Sequence, residues 1–250
     1  LLPNFQNPAG VTLSLKRRQE VVRVANEYGL PVVEDDPYGQ LRYEGEQLPT
    51  LLTCDQANVP SGNGHFTGNV IYMSTFSKIL APGFRLGWVI APPEPMVKLV
   101  QIKQGADLHT STLAQMVMYE AAKDGFVENH IEHLRTVYRE RRDVMLETLE
   151  ELFPTEVKWT RPKGGLFLWV TLPEGADSVE LLAMAVKQNV AFVPGEGFFP
   201  APQAGNRHLR LNFSNASPEM IREGVYRLSI AIKEQLLSHR RPTVMMPKPI

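Results

Sequence analysis

The chain has 250 residues, of which 43% are hydrophobic and 21% are charged, and its formal net charge at pH 7 is −1. This composition is typical of a folded globular protein with one large domain or two unequal ones. The near-neutral charge argues against nucleic acid or an anionic membrane surface as a partner, and no apolar run reaches the roughly 18–20 residues that span a bilayer.

Cys54 is the only cysteine, so no disulfide can form within the chain, and a cytoplasmic location is expected. The sequence does not begin with Met, and its first residues, LLPNFQNPAG, read like the end of a strand that has already begun. We therefore expect this chain to be the later part of a longer protein.

The first half of the chain predicts an α/β sheet with parallel strands, because apolar runs alternate with a helical pattern. The spacing over 13–29 predicts a helix, with Ser14 as its N-cap and Gly29 at its end. Residues rich in turn formers predict a surface loop over 51–69. Short buried strands are predicted at 30–36, 69–74 and 86–91.

The second half predicts helices first and then a smaller α+β unit. Helices are predicted near 93–105, 111–124, 126–153, 178–188 and 218–237, and strands at 166–172, 190–194 and 208–213. The pattern changes after Pro154, so we place a domain boundary near residue 150. This gives a large domain over 1–150, a small domain over 151–238 and a disordered tail over 239–250.

Polar side chains follow several of the predicted strands at the point where each strand ends, which is where ligands bind in open α/β sheets. These residues are Asn7, Glu34, Asp35, Asp36, Tyr38, Thr75, Ser77 and Lys78. Each also has a structural interpretation, since Asp-Pro and Asn-Pro start turns and Ser and Thr cap helices.

Lys78 raises the sharpest question, because it lies in the largely apolar stretch STFSKILAPGFRLGW, seven residues before Arg85. The structural interpretation is a loop lysine whose ammonium stays in water, and Arg85 could simply pair with one of the acids. The chemical interpretation is a lysine retained as a nucleophile that forms a covalent bond with a carbonyl group.

Four motifs together resemble the class I/II aminotransferases, enzymes of pyridoxal phosphate fold type I. They are PNFQNPAG, EDDPYGQLRYEGE, TFSKILAPGFRLGW and LRLNFS, in that order, and they look most like the 2-aminoadipate and kynurenine/2-aminoadipate aminotransferases. The similarity covers about residues 2 to 237. The broad class has eight residues from the lysine to the arginine, and the spacing of seven here is similar to the 2-aminoadipate subgroup.

The resemblance implies a fold, a cofactor and a set of site residues. The implied fold is a mostly parallel sheet in a large domain, incomplete here, followed by a small α+β domain. The implied cofactor is pyridoxal 5′-phosphate, which Lys78 would bind covalently before acting as a general base. Asp35 would pair with the pyridine nitrogen, while Tyr38 and Asn7 would donate hydrogen bonds to the ring oxygen.

The resemblance also implies how the two anionic ends of the ligands are held. Thr75, Ser77 and Arg85 would bind the cofactor phosphate. Arg210, in HLRLNFS, would bind the substrate α-carboxylate, with Asn7 close to the substrate as well. A strand-end salt bridge is the alternative interpretation of Arg210.

The implied activity is transamination between an α-amino acid and a 2-oxo acid such as 2-oxoglutarate. The amino acid would be 2-aminoadipate-like, or aromatic or branched, and the full-length protein would be a homodimer. A pyridoxal phosphate lyase or decarboxylase remains an alternative, as does the aminotransferase-like effector domain of a GntR-type transcription regulator.

Three further features receive no role from the sequence. Gly164–Gly165 predicts a turn into a strand, and His109 lies in DLHTST, which predicts a helix N-terminus capped by Ser or Thr. His130 and His133 are three residues apart on a predicted helix, but exposed helical residues are commoner than ligands, and we expect no metal site.

Overall fold

The computed structural model of the chain describes residues 1–57 and 68–240, with side chains up to residue 238. These residues form two compact units. The first comprises Leu1–Val137 and Pro162–Gly165, and the second comprises Tyr138–Arg161 and the described residues from Leu166 onward. The chain therefore changes unit at Val137, whereas the sequence placed its boundary near residue 150, later in the same helix.

The first unit is built from a three-stranded sheet and helices. Its elements are α1 (Leu15–Tyr28), β1 (Val32–Asp35), α2 (Leu51–Gln56), β2 (Val70–Thr75), β3 (Gly87–Ile90), α3 (Pro93–Asp107), α4 (Thr112–Ala122) and the start of α5 (Phe126–Leu152). The helix α2 corrects the sequence prediction of a surface loop over 51–69. Its N-cap is Thr50, which accepts a hydrogen bond from the backbone of Thr53, and residues 58–67 of that prediction lie outside the described part.

Local sequence explains the ends of α1. The Ser14 side chain accepts a hydrogen bond from the backbone N–H of Arg17, which satisfies one of the free donors of the first turn. Gly29 closes the helix with φ 61° and ψ 33°, a left-handed conformation that glycine adopts without steric cost. Both predicted caps are confirmed.

The strand order of the first sheet is β1-β2-β3. β1 and β2 are parallel, as predicted, but β2 and β3 are antiparallel. The connection from Thr75 to Gly87 is too short for a helical crossover, so the chain turns back beside β2 instead of returning to the other end of the sheet.

The core of this unit lies where α1 and α2 cover the sheet. Its buried cluster consists of Val22, Leu51, Leu52, Cys54 and Val70. The prediction that β1 is buried on both faces is wrong for this structure, because Val33 is 46% exposed.

The second unit contains an antiparallel sheet and helices. Its elements after α5 are β4 (Lys158–Trp159), β5 (Phe167–Thr171), α6 (Ser178–Lys187), β6 (Val193–Pro194), β7 (His208–Asn212) and α7 (Pro218–Arg240). The strand order is β4-β5-β7-β6. α6 packs against α7, and alternate residues of β5 and β7, among them Leu168 and Leu209, are fully buried.

The end of the chain differs from the sequence prediction in one respect. α7 continues to Arg240, so the first two residues of the predicted tail are helical, and the rest of that tail lies outside the described part. No helix among the described residues is long and apolar enough to cross a membrane.

Candidate active site

The carboxyl ends of β1 and β2 lie side by side and bring Asp35 and Thr75 to one edge of the sheet. In the parallel register Asp35 is opposite Met73. The backbone N–H of Asp36 donates to the Met73 carbonyl at 2.9 Å, and the Ser74 hydroxyl donates to the Asp36 carbonyl at 2.8 Å. These bonds fix the two strand ends against each other.

Asp35 is half-buried at this edge, and its carboxylate receives no hydrogen bond from another described side chain. Burial raises the pKa of Asp35. A cation placed against this carboxylate would favour its ionised form. The group is therefore suited to bind a positively charged partner.

Asp36 has a different environment, although it is the next residue. Its side chain is buried and accepts a hydrogen bond of 2.9 Å from the Asn4 amide and another from the backbone of Gly39. Asn4 in turn accepts a 2.6 Å hydrogen bond from Arg18, which is fully buried. Asp36 is therefore part of a buried polar network, which the sequence did not predict.

Glu34 is also structural. Its side chain is completely buried, and its two oxygens accept hydrogen bonds from the backbone N–H groups of Leu51 and Leu52 at 2.9 and 3.0 Å. It thereby satisfies two free donors at the start of α2. Burial raises the pKa of Glu34, while these two hydrogen bonds oppose the shift.

Lys78 lies in a turn that follows β2 directly, and its side chain is exposed. The Thr75 and Ser77 hydroxyl oxygens are 3.0 Å apart, and the backbone N–H of Ser77 donates to Thr75 Oγ1 at 3.1 Å. Thr75 also donates to the Leu86 carbonyl at 2.8 Å, which ties the start of the turn to its end. Lys78 makes no hydrogen bond or ion pair with any residue in the described part of the chain.

Arg85 closes the same loop in a left-handed backbone conformation, with φ 56°. Its side chain is exposed, and Nη1 donates to the Pro82 carbonyl at 3.1 Å. Lys78 and Arg85 thus place two exposed cations on one short connection, together with the Thr75 and Ser77 hydroxyls. Such a set of donors is suited to a phosphate group.

Asn7 and Tyr38 differ in exposure. Asn7 is exposed, in a loop closed by a backbone hydrogen bond from Gly10 to Gln6 at 2.6 Å. Tyr38 is only 5% exposed. Both residues belong to the first unit, like every other predicted site residue except Arg210.

The pair Gly164–Gly165 has a steric explanation. A Cβ atom at Gly164 would lie 2.3 Å from the Leu41 carbonyl oxygen and 2.4 Å from the Phe5 ring. One at Gly165, where φ is +74°, would lie 2.4 Å from Phe5 Cβ. The glycines let the backbone pass directly against Phe5, close to the loop of Asn7, and the Tyr43 hydroxyl donates to the Gly165 carbonyl.

Arg210 lies on β7 in the second unit, where aromatic rings surround it. Its guanidinium carbon is 4.4 Å from the centre of the Phe167 ring and 5.4 Å from that of Phe198. The sequence did not predict these aromatic neighbours, because Phe198 is twelve positions away from Arg210 in the chain.

The remaining candidates, His109, His130 and His133, lie in or beside helices. The Ser111 side chain caps α4, as the sequence predicted for this segment, and His109 is exposed beside it. The rings of His130 and His133 are 6.4 Å apart. Among residues 1–57 and 68–240 no group of three His, Cys, Asp or Glu side chains could hold a metal ion.

The first unit therefore defines an α/β protein with a lysine, a carboxylate, hydroxyls and an arginine at the ends of adjacent strands. The family model described as aminotransferase class I and II matches residues 1–228, and the chain belongs to this family. The solved structures that it resembles have the fold of pyridoxal phosphate fold type I, of which this chain contains a part.

Three comparisons illustrate this relationship. The chain is 46% identical over 235 residues to aromatic-amino-acid aminotransferase 1 of Thermococcus litoralis, covering 94% of this chain and 54% of that protein. The crystal structure of the alpha-aminoadipate aminotransferase LysN of Thermus thermophilus, complexed with N-(5′-phosphopyridoxyl)-L-leucine, matches with a TM-score of 0.87. It is 43% identical and covers 95% of this chain and 59% of LysN.

The third relative belongs to another functional class. The uncharacterized HTH-type transcriptional regulator YdfD of Bacillus subtilis is 33% identical over 232 residues, covering 93% of this chain and 45% of the regulator. The chain thus spans about half the length of the curated relatives that it matches.

Proposed function

We propose that the full-length protein is a pyridoxal phosphate-dependent aminotransferase that transfers an amino group between an α-amino acid and a 2-oxo acid. One observation carries the proposal. The exposed Lys78 follows β2 directly and shares its short connection with Ser77 and Arg85, at the same sheet edge as Asp35. Membership of the aminotransferase family supports this choice.

The chemistry of these residues fits the cofactor at each of its ends. Arg85 and the Ser77 hydroxyl suit a phosphate, and the half-buried Asp35 carboxylate suits a protonated ring nitrogen, whose charge would favour the ionised carboxylate. Thr75 contributes by holding the loop through its hydrogen bond to the Leu86 carbonyl. Asn7 and Tyr38 are the proposed donors to the ring oxygen.

The roles of the residues follow from this fit. Pyridoxal phosphate, when bound, supplies an electron-withdrawing ring that stabilises negative charge at the substrate Cα. Lys78 would hold the cofactor covalently through Nζ, and once the substrate amine has displaced it from that bond, the freed Nζ amine would accept the proton from the substrate Cα. Asp35 would keep a proton on the ring nitrogen by its charge, and Arg210 would bind the substrate α-carboxylate through a bidentate pair.

For the substrate we propose a large amino acid, 2-aminoadipate-like or aromatic, with 2-oxoglutarate as a suitable acceptor. The support is the similarity to proteins described as aromatic-amino-acid and alpha-aminoadipate aminotransferases. We further propose a homodimer in the cytoplasm, and the buried Cys54, as the only cysteine of the chain, is compatible with a reducing compartment.

A regulator with an aminotransferase-like domain is the second candidate, and the similarity to YdfD favours it specifically. A regulator of this kind would bind the cofactor through the same residues but would turn over no substrate pair. A lyase or decarboxylase would consume the amino acid without needing a 2-oxo acid.

Turnover of the full-length protein separates the three candidates. The protein would be incubated with 2-aminoadipate, an aromatic amino acid or alanine, each with and without 2-oxoglutarate, and the formation of glutamate and of the new 2-oxo acid would be measured. We expect equal amounts of both products, and more than one equivalent per cofactor only when the acceptor is present. Cofactor binding without turnover would favour the regulator, and consumption without the acceptor would favour the lyase or decarboxylase.

A further inference from the structure

Arg210 and several aromatic residues share one face of the small sheet, opposite the face of its buried aliphatic residues. In the antiparallel register Trp169 of β5 is opposite Arg210 of β7, and alternate residues of a strand share one face. Phe167 and His208 therefore lie on the face of Arg210. The other face is formed by residues that are at most 7% exposed: Leu168, Val170, Leu209 and Leu211.

Two aromatic rings border the guanidinium on this face. The Arg210 guanidinium carbon is 4.4 Å from the Phe167 ring centre and 5.4 Å from the Phe198 ring centre. Both distances lie within the range of about 6 Å in which a cation is attracted by a ring face. Phe167 is supplied by the neighbouring strand, whereas Phe198 is supplied by the short 3₁₀ turn Gly195–Phe198.

The backbone holds this turn tightly against β7. A Cβ atom at Gly195 would lie 2.5 Å from the Gly205 carbonyl oxygen and 2.6 Å from His208 Cβ, so only glycine permits the approach. Trp169 then supports the Phe198 ring edge-on, with 5.6 Å between ring centres and an interplanar angle of 85°. The position of Phe198 is thus fixed from both sides.

The next residue provides a natural comparison. Phe199 is half-buried like Phe198 and lies 6.4 Å from Trp169. Its closer partner is His208, on which it stacks with ring centres 5.5 Å apart. The two phenylalanines therefore share one aromatic cluster, but the cation–ring contact with Arg210 is made by Phe198.

We propose that Phe198 is a positioning residue for Arg210. This inference rests on the proposed function, in which Arg210 binds the substrate α-carboxylate. A guanidinium fork binds a carboxylate through two parallel hydrogen bonds only when its plane is correctly oriented. Phe198 restricts that plane before substrate arrives, so less conformational freedom is lost on binding.

The test compares Phe198→Leu with Phe199→Leu in the full-length, cofactor-loaded protein. For each variant we would measure kcat, the KM of the amino donor and the dissociation constant of glutarate, a carboxylate that cannot react. We expect Phe198→Leu to raise KM and the glutarate dissociation constant about three- to tenfold, with kcat within about twofold. Phe199→Leu should leave all three values within about twofold of those of the original protein. Phe198→Tyr, which keeps an aromatic ring, should bind glutarate as tightly as the original protein.

Thermal unfolding of both leucine variants shows whether weaker binding comes from the lost orientation of Arg210 or from a general loss of packing. Equal effects of the two leucine variants on KM would overturn the proposal. Weak glutarate binding by Phe198→Tyr would overturn it as well. Arg210→Lys tests the assumption that Arg210 binds the substrate α-carboxylate. If this change weakens carboxylate binding while Phe198→Leu does not, only the positioning role fails. If Arg210→Lys does not weaken carboxylate binding, both the positioning role of Phe198 and the proposed role of Arg210 fail.

Discussion

The Asn4 amide donates a hydrogen bond of 2.9 Å to the Asp36 carboxylate, and both side chains are buried. This contact separates two adjacent acids that look equivalent in the sequence. Asp36 is bound within the protein, whereas the half-buried Asp35 carboxylate is not bound by another described side chain. This difference supports the proposed cofactor-binding role of Asp35 and indicates a structural role for Asp36.

The first prediction compares Asp35→Asn with Asp36→Asn. Asparagine cannot hold a proton on the ring nitrogen by charge, so Asp35→Asn should lower kcat about a thousandfold or more while the cofactor stays bound. Asp36→Asn should instead lower the free energy of unfolding by about 1–3 kcal/mol, because the Asn4 amide and the Gly39 N–H lose a charged acceptor. Transamination rates, cofactor absorbance and urea unfolding measure these effects.

Two results would contradict these roles of Asp35 and Asp36. If Asp36→Asn proves the more damaging variant for kcat at full cofactor occupancy and without denaturant, the roles of the two acids are exchanged. Equal rates for both variants would indicate that neither carboxylate faces the ring nitrogen.

The second prediction concerns Arg18, which is fully buried on α1. It donates hydrogen bonds to Asn4 and to the carbonyl oxygens of Pro3, Leu13 and Pro49. Arg18→Lys removes the planar fork that reaches these acceptors and should lower the free energy of unfolding by about 3 kcal/mol. The matched control is Arg17→Lys.

Arg17 is exposed and forms a 3.0 Å ion pair with Glu20. Because surface pairs contribute little, Arg17→Lys should change the free energy of unfolding by less than about 0.5 kcal/mol. Urea titration of the two variants gives the comparison, and similar stabilities would refute the importance of the buried contacts.

The third prediction uses Gly39. A Cβ atom there would lie 2.2 Å from Oδ2 of Asp36, whose position is already fixed by Asn4. Gly39→Ala should therefore destabilise the protein by about 1–3 kcal/mol. Gly105→Ala, in α3 with no atom near its Cβ position, should stabilise it by about 0.5–1 kcal/mol. Melting temperatures that shift in the same direction would contradict this account.

The fourth prediction concerns pH. Burial, and to a lesser extent the neighbouring Arg207, lower the pKa of His208 below its usual value. The folded state therefore binds fewer protons than the unfolded state as pH falls through about 6.5, and stability decreases in that range. His208→Phe keeps a ring beside Trp169 but cannot titrate. Its unfolding free energy should fall less than that of the original protein between about pH 7.5 and about pH 5.5, and an equal loss would exclude His208 as a contributor.

Local patterns explain much of the fold that the sequence predicted. The caps Ser14 and Gly29, the long helix α5 and the strands β5 and β7 have recognisable local residue patterns, and the structure confirms them. The pairing of β3 was predicted less well, because the direction of a strand depends on the length of its connection and on the space beside β2.

The sequence predicted which residue types form the candidate site, but it did not predict the burial and contacts of the side chains around them. Nothing in the sequence indicates that Arg18 is buried, since its acceptors are brought together only by tertiary structure. The same holds for Glu34, which looks like a member of an acidic cluster but caps α2 from 17 residues away. The aromatic surroundings of Arg210 likewise arise from a turn on another part of the second unit.

The central claim is that Lys78 is the residue that binds the cofactor covalently. The most direct measurement is borohydride reduction of the full-length protein with pyridoxal phosphate, followed by peptide mapping of the label. We predict stoichiometric label on the peptide that contains Lys78, and none after Lys78→Arg, whereas Lys98→Arg on the exposed surface of α3 should leave the labelling unchanged. Label on another lysine, or no label on a folded protein, would contradict the account.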